Sequence, residues 1–345
     1  MRKRRHRVIS LLLASAMVLT SGLYGNITDA KAEGTAKESE SLERQLIPKP
    51  LEYYQDEDGG KFVLEDDAEI YVDENAEVTR TGNYLQEEFQ KSTGFELPVK
   101  TGDDASAEDI QLALDGAEDL GNEGYTVKVD ENGIKVSAYQ PEGVFNGVQT
   151  LRQLFPSEIE STEVETDVEW AAPYCDIKDK PEYEYRGMML DVARHFFPVE
   201  SVKRQIDQAA KYKINKLHMH MTDDQGWRLE IKGEMYGESL DKLRTIGASR
   251  SCATNGYRPG QYTQEEFREL AEYAAERYVE IIPEFDMPSH TWAALVSLNF
   301  LNSTEDGKPH APGYDNTQPY DGYDVGFCTY ECRNEKTYEF IEEVI

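Results

Sequence analysis

Between Tyr185 and Pro288 the chain repeats one grammar: strand, helix, strand, helix, strand. "YRGMMLDV" is an apolar run that reads as a buried strand. "PVESVKRQIDQAAKYK" places Val202, Ile206, Ala209 and Ala210 at helical spacing. "NKLHMHMT" reads as the next strand. "TQEEFRELAEYAAERY" is a helix opened by Thr263, with Glu266 three residues on to complete a capping box. "VEIIPEFDMP" is the third strand. Strands that alternate with helices of this length imply parallel pairing and βαβ units. Three rounds suit a (β/α)8 TIM barrel or a doubly wound sheet. No glycine-rich phosphate loop follows the first strand, which disfavours the nucleotide-binding version. Residues 183–345 are therefore a βα-repeat domain, and this pattern alone leaves the barrel and the doubly wound sheet both open.

A chain of 345 residues has room for a second domain. Residues 45–175 mix strand and helix signals and predict a separate α+β domain. "KFVL" and "EIYV" are short strands. "TGNYLQEEFQKSTG" is a helix with Tyr84, Leu85 and Phe89 on one face and Gly94 as its stop. "GYTVKVDENGIKVSAY" predicts a hairpin turning at Asn132-Gly133. "GVFNGVQTLRQLF" is a second amphipathic helix. Residues 156–182 are acidic and proline-bearing and read as a connection.

The N-terminus carries a different signal. Arg2, Lys3, Arg4, Arg5 and Arg7 precede "VISLLLASAMVLTSGLYG", and Ala30-Lys31-Ala32 offers a small-residue cleavage site. Residues 1–32 thus read as a secretory signal peptide. Residues 33–44 are polar and read as a disordered lead. The mature protein is expected to be exported, either released or tethered to the cell surface through residues beyond Ile345. The net charge of −31, from 36 basic and 67 acidic residues, argues against a nucleic-acid partner. Its plain meaning is a solubilising surface. Four cysteines, Cys175, Cys252, Cys328 and Cys332, are too few for a disulfide framework in so long a chain. They read as free or as one incidental bridge. Asn26 and Asn302 begin short glycosylation patterns.

Functional side chains of a βα barrel stand at the C-terminal ends of its strands. The first strand here ends near Asp191, Arg194 and His195. The second ends near Asp223, Asp224, Gln225 and Trp227. The third ends near Glu284, Asp286 and His290. Three polar ends in succession, on segments otherwise apolar, make a site signature. His218 and His220 share one strand face and could chelate a metal with Asp223 or Asp286. They could equally be satisfied histidines of a barrel wall, which is the favoured reading. Asp191 could simply hold Arg194. Trp227 could be core, or a sugar platform beside carboxylates. "GYDNTQPYDGYDVGF" could be an aromatic rim loop or an ordinary surface loop.

Two long stretches sharpen this. "YRGMMLDVARHFFPVESVKRQIDQAAKYKINKLHMHMTDDQGWRLEI" resembles the start of the catalytic barrel of glycoside hydrolase family twenty, the exo-β-N-acetylhexosaminidases. "GQYTQEEFRELAEYAAERYVEIIPEFDMPSHT" resembles its continuation, and the preceding α+β domain resembles the family's N-terminal domain. The resemblance implies substrate-assisted retaining hydrolysis of terminal β-linked GlcNAc or GalNAc, with no metal and no cofactor. It implies glycans or amino-sugar polymers as partners. It assigns Arg194 to the hydroxyls of the terminal sugar, Asp223 to support of the active site, and His290 to a hydrogen-bonded link toward the catalytic acid. His218 and His220 become strand residues rather than ligands.

Two departures from the family pattern stand out. Ser289 occupies a position where the family usually has glycine. The family's His-x-Gly-Gly-Asp-Glu segment, which supplies the acid and the acetamido-orienting aspartate, does not occur in this sequence. "KTYEFIEEVI" reads as the helix just before it. The expectation is an incomplete barrel, a fragment of a longer protein, inactive alone. Two other classes compete: a metal-dependent TIM-barrel hydrolase built on His218 and His220, and a non-catalytic carbohydrate-binding protein that keeps Arg194 and Trp227.

Overall fold

The computed structural model describes residues 46–55, 59–252, 260–304, 307–309, 316–324 and 327–345. The signal-peptide and lead readings, and Asn26, lie outside these residues.

The first layer is a seven-stranded mixed sheet in the order β1-β9-β6-β7-β5-β3-β4. Its strands are β1 (Glu52–Gln55), β3 (Ile70–Val72), β4 (Val99–Thr101), β5 (Ile110–Ala113), β6 (Tyr125–Asp130), β7 (Gly133–Ala138) and β9 (Cys175–Asp179). A separate antiparallel pair joins β2 (Lys61–Val63) to β8 (Ala171–Pro173). Helices α1 (Ala76–Thr93) and α2 (Pro141–Arg152) pack against the large sheet. Helix α1 starts before the predicted "TGNYLQ" because the Asn75 side chain caps the amides of Glu77 and Val78. It stops where predicted, at Gly94, which adopts φ 75°. Leu85 and Phe89 are fully buried, and Tyr84 lies against Phe145 at 5.2 Å.

Two details differ from the sequence expectation. The hairpin pairs Asp130 with Gly133, so its tip is Glu131-Asn132 and Gly133 already belongs to β7. The Asp130 carboxylate accepts the Asn132 amide at 2.7 Å, which fastens the tip one residue early. The acidic stretch read as a connection contains β8 and β9, and β9 lies between β1 and β6 in the sheet. Asp176 and Lys178 alternate with buried Cys175, Ile177 and Asp179, so one face of the strand is core and the other is solvated.

The second layer is built from β10 (Gly187–Asp191), β11 (Lys216–Asp223) and β15 (Glu280–Phe285), all parallel, with β11 in the centre. The crossover helices are α3 (Val199–Lys211) and, after a short α4 (Lys242–Thr245), α5 (Gln264–Ala275). The four apolar residues predicted to face inward on α3 are buried, and the Thr263–Glu266 capping box is formed. Leu217, Met219 and Met221 bury against α3 and α5. On the opposite face the register aligns Met189, His218 and Ile282 in one row and Asp191, His220 and Glu284 in the next. Two short helices, α6 (Trp292–Ser297) and α7 (Glu335–Val344), pack around Trp227 and Phe300.

Residues 46–345 form one compact unit. The Lys213 ammonium, just after α3, donates to Tyr125 and Thr150 of the first layer and pairs with Asp179 at 3.3 Å. No disulfide joins any two of the four cysteines. The Asn302 amide nitrogen is already committed to the carbonyls of Leu295, Leu298 and Gly307.

Candidate active site

Strand β11 reverses at Asp223-Asp224-Gln225 into β12 (Gly226–Trp227), pairing Asp223 with Gly226. The turn is tight because Arg228 lies directly beneath it. A Cβ on Gly226 would stand 2.2 Å from the Arg228 guanidinium. Arg228 is fully buried with no carboxylate partner among its hydrogen bonds. It donates instead to the carbonyls of Val192, Ala193, Gly260 and Arg250. Burial lowers its pKa to about 10. These bonds tie the end of β10, the β11 turn and the approach to α5 into one unit. Sequence reading did not single out Arg228. Its signal was weak: an arginine inside a run otherwise apolar on alternate positions.

Asp223 is the centre of the site and is fully buried. Its Oδ2 accepts from His220 Nε2 at 2.8 Å and pairs with Arg194 Nη2 at 2.8 Å. Its Oδ1 accepts from the Asp224 amide at 2.6 Å and from His290 Nδ1 at 3.0 Å. Burial pushes the Asp223 carboxyl up, but the His220 bond, the Asp224 amide, Arg194 and His290 outweigh it and hold the group below the usual carboxylate range. An ionised acceptor with four donors needs no further cation.

Arg194 is fastened at both ends. Asp191 Oδ2 accepts its Nη1 at 2.6 Å, and Asp191 Oδ1 accepts the Ala193 and Arg194 amides. Burial acts to lower the Arg194 pKa, and Asp191 and Asp223 raise it. Its side chain stays 35% exposed, so part of the fork remains open to solvent. His290 is likewise half-buried, at φ 56°. That left-handed residue of the turn is His290 and not Ser289. Ser289 instead bridges Thr329 as extended backbone, which explains how a serine is accommodated there.

The structure therefore brings together Arg194, Asp223 and His290, along with Asp191, His220 and Glu284. Asp286 lies nearby, its amide bound to Thr222, and burial raises its carboxyl pKa. His195 sits apart, against Phe197 at 5.3 Å. Trp227 corrects the sugar-platform expectation. It is 2% exposed, packs on Phe285 and Phe340, and donates its indole proton to Leu229 at 2.7 Å. The side chain faces the opposite way from Asp223 because pairing partners alternate along the β11–β12 hairpin. Within the aromatic loop, residues 316–324 seat on the β11 turn: Tyr320 donates its amide to the Asp224 carbonyl, and Gln225 donates to Gly322. Residues 313–315 and 325–326 of that loop lie outside the described residues.

Two triads come within metal-binding distance, His220/Asp223/Asp286 and Asp223/Asp224/His290. Both depend on Asp223. A cation there would sit against the Arg194 guanidinium and displace donors that already use both Asp223 oxygens. The donor set fits a bound carboxylate better than a metal ion.

Comparison with known proteins gives the family of the chain. Residues 183–345 match the model of the glycosyl hydrolase family 20 catalytic domain, and residues 43–180 that of domain 2 of the same family. The chain is 36% identical over 252 residues to a beta-hexosaminidase of Porphyromonas gingivalis, covering 73% of this chain and 31% of that protein. It is 42% identical over 205 residues to a beta-hexosaminidase of Vibrio furnissii, covering 56% and 31%. The solved family 20 beta-N-acetylhexosaminidase of Streptomyces coelicolor superposes with a TM-score of 0.77 at 38% identity, covering 88% of this chain and 57% of that one. A Streptomyces plicatus mutant in complex with the product GlcNAc gives 0.76 at 36% identity, covering 88% and 56%. The chain thus spans between about a third and just over half of these relatives' length.

Proposed function

The chain belongs to glycosyl hydrolase family 20, comprising its domain 2 and catalytic-domain sequence up to residue 345, and on that premise we propose that the protein it comes from is an exported exo-β-N-acetylhexosaminidase. Its substrates are glycans or amino-sugar polymers ending in β-linked GlcNAc or GalNAc. The observation that carries the proposal is the Arg194–Asp223–His290 cluster. A buried, ionised carboxylate holds both a forked cation and an imidazole at the mouth of a βα sheet.

In this reading the open part of the Arg194 fork binds ring hydroxyls, where planar, fixed N–H donors give orientation. Asp223 keeps Arg194 in place and accepts the Nδ1 proton of His290. His290 Nε2 is then free to accept a hydrogen bond from the catalytic acid. The acetamido oxygen of the substrate attacks the anomeric carbon while the acid protonates the leaving oxygen and the glycosidic bond breaks. Water then opens the cyclic intermediate with retention. The acid and the acetamido-orienting aspartate belong to the family's Asp-Glu segment, which these 345 residues do not contain. The reaction calls for no metal.

The test is to express the whole coding frame and assay chromogenic β-GlcNAc and β-GalNAc substrates with and without a chelator. Retaining, chelator-insensitive hydrolysis supports the proposal. Activity abolished by chelation and restored by a divalent metal would transfer it to the metal-hydrolase class. Saturable sugar binding without turnover would make the protein a lectin. Export is read from the basic and apolar N-terminal run, and N-terminal sequencing of protein recovered outside the cell tests it.

A further inference from the structure

The Asp223–His290 pair does not end at Asp223. Behind it stand His220, Glu284 and His218, on the same face of β11 and β15. His220 Nε2 lies 2.8 Å from Asp223 Oδ2. His220 Nδ1 lies 3.2 Å from Glu284 Oε2. That same Glu284 oxygen lies 2.6 Å from His218 Nε2. Three carboxylate and imidazole groups thus continue the line from Asp223 along the sheet face, and His220 is 3% exposed within it.

The protons in this line are constrained by chemistry. An ionised Asp223 only accepts, so His220 Nε2 carries a hydrogen. If His220 were neutral, Nδ1 would then present a lone pair to the Glu284 oxygen. Among the described residues neither His220 Nδ1 nor Glu284 Oε2 forms an aligned hydrogen bond, to each other or to a third group. Two facing lone pairs at 3.2 Å in a buried position are repulsive. A second proton on His220 converts that contact into an ion pair.

We infer that His220 is held as an imidazolium by Glu284 and Asp223 together, and that His220 and Glu284 are positioning residues that keep Asp223 ionised as the acceptor for His290. The catalytic meaning of this rests on the glycosidase reading; the charge state does not. The groups that face His220 are Asp191 from β10, Arg194 from the segment after it, His218 and Asp223 from β11, Glu284 and Asp286 from β15 and its exit, and His290 beyond. Burial works against the charge on His220. The Asp223 bond and the charges of Asp191, Asp223 and Glu284 outweigh it, and its pKa is raised from the ordinary histidine value. With His220 charged, Asp223 stays ionised, its Oδ1 accepts the His290 Nδ1–H beside the Asp224 amide, and His290 is fixed in the tautomer whose Nε2 is an acceptor.

The sequence has six histidines, so 15N-histidine labelling of the chain and single His→Gln variants assign every ring by NMR. The expected result is that His220 is doubly protonated at neutral pH and that His290 carries its proton on Nδ1. In Glu284→Gln the His220 titration should move down by about one pH unit or more. A His220 that is singly protonated at neutral pH in the unaltered protein overturns the inference. So does a titration unmoved by Glu284→Gln. The first reading is made on the unaltered protein, with the His220 ring assigned by through-bond correlation to its own backbone amide, so it stands even where a substitution unfolds the chain. Hydrolysis is not measured. A charged His220 in a protein that cleaves no N-acetylhexosaminide would therefore count against the proposed function alone.

Discussion

The carboxylate of Asp223 accepts the Nδ1 proton of His290 at 3.0 Å across 67 residues of sequence. Asp223 ends one parallel strand, and His290 lies just past the end of its neighbour. Parallel pairing of β11 with β15 therefore delivers both to the same end of the sheet. The consequences can be checked one residue at a time.

Asp223→Asn keeps the volume and removes the charge. One amide face becomes a donor, which opposes His290, Arg194 or His220. In the whole protein we expect kcat to fall by about 10²–10⁴-fold, the range spanned by a misplaced acid–base group. Steady-state kinetics check this, and a variant with full kcat would remove Asp223 from the mechanism.

Arg194→Lys keeps a cation but loses the fork that spans Asp191 and Asp223. On the proposed reading, in which the open donors bind substrate hydroxyls, KM should rise more than kcat falls. Unchanged KM for the GlcNAc substrate would show that Arg194 is structural only.

Trp227 separates core from platform. Trp227→Phe should leave KM near its original value, while Trp227→Ala should cost about 3–5 kcal/mol of stability. Denaturant unfolding beside kinetics measures both. A raised KM with unaltered stability would restore the platform reading.

Lys213 is a buried base, and burial lowers its pKa to about 8 against the attraction of Asp179. Unfolded lysine titrates near ~10.4. Between the two values the unfolded chain binds more protons at this position, so the Lys213 contribution to stability rises with pH from about 8 to about 10. Tyr125, whose pKa burial raises well above its ordinary value, opposes the trend only above that window. Subtracting the stability–pH curve of Lys213→Met from that of the unaltered chain should reveal this rise. A flat difference would mean that Lys213 is not charged-form penalised in the fold.

Much of the architecture was legible because it is local. The α3 face, the Thr263 cap and the Gly94 stop depend on periodicity and on side chains within four residues, and each formed at its place. The hairpin tip slipped by one residue because a side-chain bond from Asp130 competed with the Asn-Gly preference. Strand β9 looked like a connection because its outward residues are charged, and only its two neighbours in the sheet reveal the buried row.

The site divides in the same way. The sequence by itself determined which polar residues end the strands and the family they resemble, because strand ends are marked by local changes from apolar to charged. Tertiary structure alone decided what each one touches. Trp227 turned into the core because it pairs with Thr222, the neighbour of Asp223, and so lies on the opposite side of the hairpin from Asp223. Arg228, unremarkable in the sequence, became a fully buried clamp because three segments direct five carbonyls at one point. Glu284 and His220 met because parallel register set them side by side. Those are long-range coincidences of backbone position, and no window of neighbouring residues contains them.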